Sequence, residues 1–371
     1  MKQKNNMRLF FLFFLFLLLN SCQNKENKIS NHSTNRYATH FLIEKHTDSS
    51  ITLNVINPYQ GAKHDTFSYF LSHKKINSQT IQIPIKKVAL FSTTYIGFID
   101  ALNELHSITA ISGTNLAYNP EIIKRIKQGC IYEAGFESSI DFEKLASNKP
   151  DVVFIYTVGK ETMPYVEKIK SLGIPVVYIA EFMEDHPLGR AEWIKFFGAF
   201  FQKENIADSL FQAIETKYDS IKALSNTLQK HPLVFLNIPY QGIWYMPEGN
   251  SYMATLIKDA GGNYLYHNTT GNNVLKFDFE KILTDAINAD SWINTGFIAS
   301  KKELYQNDKR FSLFKAYRNN AIYNSILHST AQGGNDFWES GVVKPHFILE
   351  DLFHIFQNDS NFTFHYYLKL R

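Results

Sequence analysis

The residues best placed to do chemistry are carboxylates in a repeated setting. Asp141-Phe142-Glu143-Lys144-Leu145 recurs as Asp278-Phe279-Glu280-Lys281-Ile282. Shortly after each copy comes an Asp and an apolar run, Pro150-Asp151-Val152-Val153-Phe154 and Ala289-Asp290-Ser291-Trp292-Ile293. Asp141 and Asp278 read as helix N-caps, and Glu143 and Glu280 then fall in first turns, where a carboxylate favours the macrodipole. On helix physics alone these glutamates are capping residues. Their shared context implies two related lobes, each with a carboxylate at the same corner. The chain has no phosphate loop, no Gly-x-Ser-x-Gly elbow and no His-Glu-x-x-His helix. The 13 histidines are dispersed. Spacing leaves open a convergence of His106, His186, His267 and His328 on a metal ion, although solvated or core-satisfied rings are the simpler reading.

Stepping outward, the elements that must carry these residues follow from periodicity. Phe41-Leu42-Ile43, Ile51–Val55, Phe67–Leu71 and Ile81-Gln82-Ile83 are short alternating stretches separated by turn signals, which predicts antiparallel strands over 37–85. From Lys87 the runs become continuous: Val88–Phe91, Ile108–Ile111, Val152–Tyr156 and Val176–Ile179 suit strands covered on both faces. Helical stretches Tyr95–Leu105 and Met163–Leu172 lie between them, which implies a parallel sheet. Residues 233–356 repeat the scheme, with strands at Val234–Asn237 and Ser291–Asn294 and helices at Tyr252–Ala260 and Phe347–Phe356. Between the halves, Ile206, Leu210, Ile214, Tyr218, Ile221, Leu224 and Leu228 form one apolar stripe uninterrupted by Gly or Pro. The expected fold is α/β: two Rossmann-like lobes with parallel sheets (86–203 and 231–358), joined by one long rigid helix (204–230). A β-rich extension (37–85) precedes them and a tail (359–371) follows.

Composition narrows the function. Charged residues at 20% and aromatics at 15% exclude a largely disordered chain. Lys2, Lys4 and Arg8 are the only charges before Cys22; beyond them 35 bases face 35 acids, which argues against nucleic acid and against a polybasic membrane patch. The apolar run Leu9–Leu19 spans about 16 Å as a helix, roughly half a bilayer core. With its basic start it reads as a secretory signal over 1–21. Leu18-Leu19-Asn20-Ser21-Cys22 resembles the lipobox of bacterial lipoproteins, which implies an acylated Cys22 and a membrane anchor. Polar residues 22–36 then fit a flexible tether. Cys130 is left alone and is expected to be a buried, apolar residue.

The lipobox, Val88–Ile99, Ile140–Ile155, Gly189–Phe196 and Gly333–Gly341 together resemble the class III periplasmic substrate-binding proteins of ABC importers, which handle iron–siderophores, haem and cobalamin. The resemblance covers roughly residues 85–357 and leaves the extension without a role. It implies that Glu143 and Glu280 dock onto arginines of a permease. It also implies a ligand between the lobes, an iron chelate (siderophore or haem) with cobalamin as the alternative. Such a ligand needs aromatic surfaces with a few placed polar groups. Tyr95 follows the first strand of lobe one, at the end where α/β folds bind ligands. Trp244 and Tyr245 follow the first strand of lobe two, and Asn335 and Trp338 lie in a Gly-rich loop. Arg190 opens a helix and suits a ligand carboxylate or, alternatively, Glu192. These six are the expected contacts. No resident cofactor, no metal site, no catalysis and a monomeric, exported lipoprotein facing the periplasm are expected, with the cell surface as the alternative location. A bare zinc or manganese carrier and an exported enzyme are the weaker readings.

Overall fold

A computed structural model of the 371-residue chain describes residues 32–33, 35–136, 139–159, 163–271 and 273–371. The signal segment, Cys22 and most of the expected tether lie outside the described residues. Among those described, no helix is long and apolar enough to cross a membrane.

The alternating stretches of the extension form one sheet of β1 (His32–Ser33), β2 (Phe41–Lys45), β3 (Ile51–Ile56), β4 (Thr66–Ser72) and β5 (Thr80–Gln82), in that order. Pairing is antiparallel as far as β4, and β5 runs parallel to β4. In β3, Ile51, Leu53 and Val55 are buried while the alternate residues are half-buried, so one face needs a cover. The cover is the helix Pro187–Phe201, in which every residue except Arg190 and Lys195 is buried. Large apolar side chains on opposite faces of one helix require cover on both. Trp193 and Phe196 meet Phe41 of the extension at ring distances of 4.8 and 5.5 Å. Phe197 stacks on Phe98 at 4.7 Å and meets Phe154 at 5.1 Å in lobe one.

Two buried glutamates bind the incoming chain to this helix. The Glu192 carboxylate accepts the backbone N–H groups of Arg36, Tyr37 and Ala38 at 2.8 to 3.1 Å, and Lys195 Nζ donates to it at 2.8 Å. Glu184 accepts Thr39 N, His40 N and Trp193 Nε1. The end of the expected tether is therefore part of the folded unit: His32–Ser33 pairs with β2, and Arg36 also pairs with Glu215.

The two lobes share one topology. Lobe one contains β6 (Val88–Leu90), β7 (Ile108–Ile111), β8 (Tyr132–Glu133), β9 (Val152–Ile155) and β10 (Val176–Tyr178), in sheet order β10-β9-β6-β7-β8. Lobe two contains β11 (Leu233–Leu236), β12 (Trp244–Pro247), β13 (Asn263–Tyr264), β14 (Val274–Phe277), β15 (Ser291–Ile293), β16 (Ile322–Asn324) and β17 (Leu368–Lys369). Its sheet order β13-β11-β15-β16-β17 superposes β13, β11, β15 and β16 on β7, β6, β9 and β10. Only the outer strands differ, and β12 pairs with β14 as a separate ribbon. The repeated motif has the same work in both halves. Asp141 caps its helix by accepting Lys144 N at 2.9 Å, and Asp278 accepts Lys281 N at 2.7 Å. The downstream Asp151 accepts Lys86 N and Lys87 N just before β6, and Asp290 accepts Leu233 N at the start of β11.

The bridging helix is Glu204–Ser225, 22 residues and about 33 Å long. Its buried side is Ala207, Phe211, Ile214 and Tyr218, whereas Ile206 and Leu224 of the expected stripe are exposed. The helix is turned because Phe211 packs on Tyr37 and under Lys195. Tyr218 Oη and Lys222 Nζ bind Asp259 of lobe two at 2.9 and 3.0 Å, so both ends are fixed. Residues 365–367 donate three backbone N–H groups to buried Asp351 and lead into β17, which places the expected tail on the lobe-two sheet. Cys130 corrects the expectation of burial: it follows the turn that ends the helix Pro120–Lys127 and is exposed.

Removing one partner of a buried charge cluster costs about 3–5 kcal/mol. Glu192→Ala is expected to lower unfolding stability by about 3 kcal/mol or more in denaturant titration. A loss below about 0.5 kcal/mol, the size of an ordinary surface substitution, would show that the extension is not integral to the fold.

Candidate functional site

The strand ends that feed the space between the lobes bring together Phe182, Met183, Asp185 and Arg190 of lobe one with Pro247, Ser251, Tyr252 and Met253 of lobe two. They enclose a cavity of about 600 Å³, completed by Trp338, the Asn273–Val274 end of β14 and residues 60–61 of the extension. Its walls are mainly ring and thioether surface, with a few polar groups at fixed places.

Arg190 is the best-positioned of these. Nε donates to Glu184 O at 3.2 Å and Nη2 to Phe182 O at 3.0 Å, and the guanidinium lies 3.9 Å over the ring of Tyr252. It thus spans the lobes, held flat by backbone on one side and by an aromatic face on the other. Burial pulls its pKa down, and the nearby Tyr252, Glu181 and Asp185 oppose that shift; a guanidinium stays charged there. Behind it, Glu181 is buried and pushed up to about 7 by burial, with Arg190 as the main opposing influence. Its Oε2 has no hydrogen-bond partner among the described residues.

A second interlobe tie lies at Glu339, at the end of the short helix Asp336–Glu339 that follows lobe-two strand β16. Its carboxylate accepts Tyr118 N and Asn119 N of lobe one, both at 2.8 Å. Gly97 allows this approach, because a Cβ there would sit 2.1 Å from Glu339 O.

The expected contacts divide. Arg190 and Trp338 line the cavity, and Trp338 is 47% exposed. Trp244 does not: it faces inward on β12 with no exposure, donates Nε1 to Leu236 O at 2.8 Å and packs on Phe235 and Trp292. Its segment is itself a strand, and strand alternation turns Tyr245 to the other face, half-buried and outside the cavity lining. Tyr95 is also core, fully buried 5.8 Å from Phe197, with its hydroxyl unpartnered among the described residues. Asn335 positions rather than lines: it caps the helix of Trp338 through Phe337 N and donates to Ser325 O. Glu143 and Glu280 are exposed at equivalent corners, and Glu280 faces Arg310 Nη1 at 3.3 Å. The four histidines do not converge: His186 caps Leu188 N, His267 bonds Tyr264 O, His328 lies by Tyr118 and His106 by Glu104. Phe182 and Met183 escaped notice although they follow β10 at its carboxyl end, which is the signal that could have found them. Nothing in the sequence pointed Tyr252 or residue 60 at a cleft.

Such a two-lobed cleft defines a solute-binding protein. Residues 88–325, more than half of the chain, match the profile of the family described as periplasmic binding protein, and the chain belongs to that family. An uncharacterized lipoprotein of Methanocaldococcus jannaschii is 28% identical over 328 residues, covering 81% of this chain and 76% of its own. A periplasmic heme-binding protein of Pseudomonas aeruginosa superposes with a TM-score of 0.59 at 12% identity, over 77% of this chain and 98% of its own. An ABC-type Fe3+-hydroxamate transport protein of Saccharomonospora viridis gives 0.54 at 18% identity, over 74% and 93%. At these identities the solved structures carry the fold. The family is one of binding proteins.

Burial pushes Glu339 up to about 7 against its two N–H bonds. A carboxyl held higher in the folded than in the unfolded chain contributes stability while protonated, and that contribution is lost as pH rises through the folded value. Wild-type stability is therefore expected to fall relative to Glu339→Gln between about pH 4.5 and 7. Melting curves across that range check it, and parallel profiles would remove the latch from the pH response.

Proposed function

We propose that the chain is the substrate-binding lipoprotein of an ABC importer, anchored through Cys22, which holds an iron chelate between its lobes and delivers it to the permease without chemistry. The observation that carries this reading is the interlobe cavity of about 600 Å³ with Arg190 fixed in its wall. That volume is in the range of small-molecule sites, and ring-lined walls with few polar groups suit a large, flat or greasy ligand. A guanidinium with two of its nitrogens already committed presents its remaining edge best to a carboxylate. This suits a chelate with a carboxylate on its rim, such as haem, while Asp185 in the same wall disfavours a polyanionic one; an iron hydroxamate without a carboxylate would rest on the ring surfaces alone. The solved relatives described as heme-binding and as an Fe3+-hydroxamate transport system support an iron chelate, and the heme-binding one also fits the carboxylate. Glu143 and Glu280, at matching corners of topologically matching lobes, are the docking carboxylates of this proposal.

Absorbance titration of the purified protein with haemin, ferrioxamine B and cyanocobalamin tests the ligand class. An iron chelate is expected to bind, and Arg190→Ala to weaken a carboxylate-bearing one about tenfold or more, the worth of a charge-assisted hydrogen bond. Cyanocobalamin alone binding would replace iron with a corrinoid. In a cellular uptake assay, Glu143→Arg with Glu280→Arg is expected to abolish import while chelate affinity stays unchanged; normal uptake by the double variant would end the docking assignment.

A further inference from the structure

The family profile begins at residue 88, so the N-terminal sheet lies outside the part of the chain that the family defines. The two lobes alone nevertheless do not close the interlobe cavity. Part of its wall is Gln60 and Gly61, in the turn between β3 and β4.

This turn is built to keep its shape. Asn57, at φ +48°, donates its backbone N–H to Asp65 O at 2.7 Å and accepts Asp65 N on Oδ1 at 3.1 Å. The Tyr59 hydroxyl donates to the Asp65 carboxylate, and Ala62 N donates to Tyr59 O. Tyr59 is 4% exposed, so the turn is anchored by a buried side chain. Gly61 has φ +77° with no atom within 4 Å of a built Cβ; the backbone, not lack of space, requires the glycine. Gln60 is left exposed at the tip, on the cavity. From lobe two, Asn273, Val274 and Trp338 line the same space.

The extension is also tied to the group expected to meet the ligand's charge. The Glu184 carboxylate binds Thr39 N and His40 N of the extension, and its backbone carbonyl accepts Arg190 Nε. One residue thus holds both the sheet that carries Gln60 and the guanidinium in the cavity wall.

We infer that the Gln60–Gly61 turn is a third wall of the ligand site, and that the Gln60 carboxamide reads the polar periphery of the bound chelate. This rests on the chelate-binding reading above. Rings and thioethers take the ligand's body, Arg190 takes a carboxylate, and Gln60, which both donates and accepts, takes a neutral or anionic group on the rim. The N-terminal sheet is then a specificity element that the two-lobed core lacks.

The test uses the full chain and the same three probes, haemin, ferrioxamine B and cyanocobalamin, with Gln60→Ala, Gln60→Trp, Trp338→Ala and Lys63→Ala. Lys63 is exposed in the same turn and lies off the cavity lining. For the probe that the wild type binds, Gln60→Ala is expected to weaken affinity about fivefold, as for one neutral hydrogen bond. Gln60→Trp, which fills the mouth, is expected to weaken it more than about tenfold. Lys63→Ala is expected to change nothing, with melting temperatures equal throughout. Wild-type affinity in both Gln60 variants overturns the inference; with Trp338→Ala impaired the cleft reading stands, and with Trp338→Ala also at wild-type affinity the cleft reading falls with it. Failure of the wild type to take any of the three overturns the chelate reading and the inference with it.

Discussion

The helix Pro187–Phe201 is enclosed on every side, and the rest of the architecture answers that constraint. A helix on the surface of a parallel sheet normally turns one stripe inward and leaves the other to water. Here the outer surface carries Trp193 and Phe196, so a second layer has to cover it, and the N-terminal sheet supplies that layer through Phe41. The sandwich buries two carboxylates, Glu184 and Glu192, and a buried charge persists only with its acceptor capacity filled. The backbone N–H groups of residues 36–40 fill it. The carboxylates and the extension therefore require each other.

From that helix the order spreads to both lobes. The bridging helix packs on it and is locked into lobe two through Asp259. Glu339 and the Arg190–Tyr252 contact add two further ties across the cleft. A single rigid connection braced at several points describes a binding protein that presents one preformed cavity. Preorganisation of this kind lowers the cost of ordering side chains when a ligand arrives.

The repeated acidic motif shows how one signal serves two purposes. Asp141 and Asp278 cap helices, and Asp151 and Asp290 pin the first strand of their lobes by accepting backbone N–H groups. These are local needs of a strand–helix–strand unit, and both halves meet them with the same residue types, although the second copy stands two residues farther from its strand. Glu143 and Glu280 share a first-turn position that favours the helix macrodipole, and both stay exposed, Glu280 beside Arg310. That shared exposure is what a docking role would use.

The sequence by itself determined the two-lobed α/β plan, the long connecting helix, the strands of the extension and the pairing of Glu143 with Glu280. Each depends on periodicity, capping or repetition, which are local and leave a trace along the chain. The cleft was less legible. Arg190 and Trp338 line the cavity, but Trp244 and Tyr95, expected beside them, are core. An aromatic residue after a strand looks alike in a loop and in a buried ribbon, and only the pairing of β12 with β14 settles which way each side chain points. Tertiary structure alone decided that Tyr252 lies under Arg190, that Glu339 joins the lobes and that Gln60 reaches the cavity. These contacts link residues 62, 221 and 122 or more positions apart, and no pattern within a segment encodes such meetings.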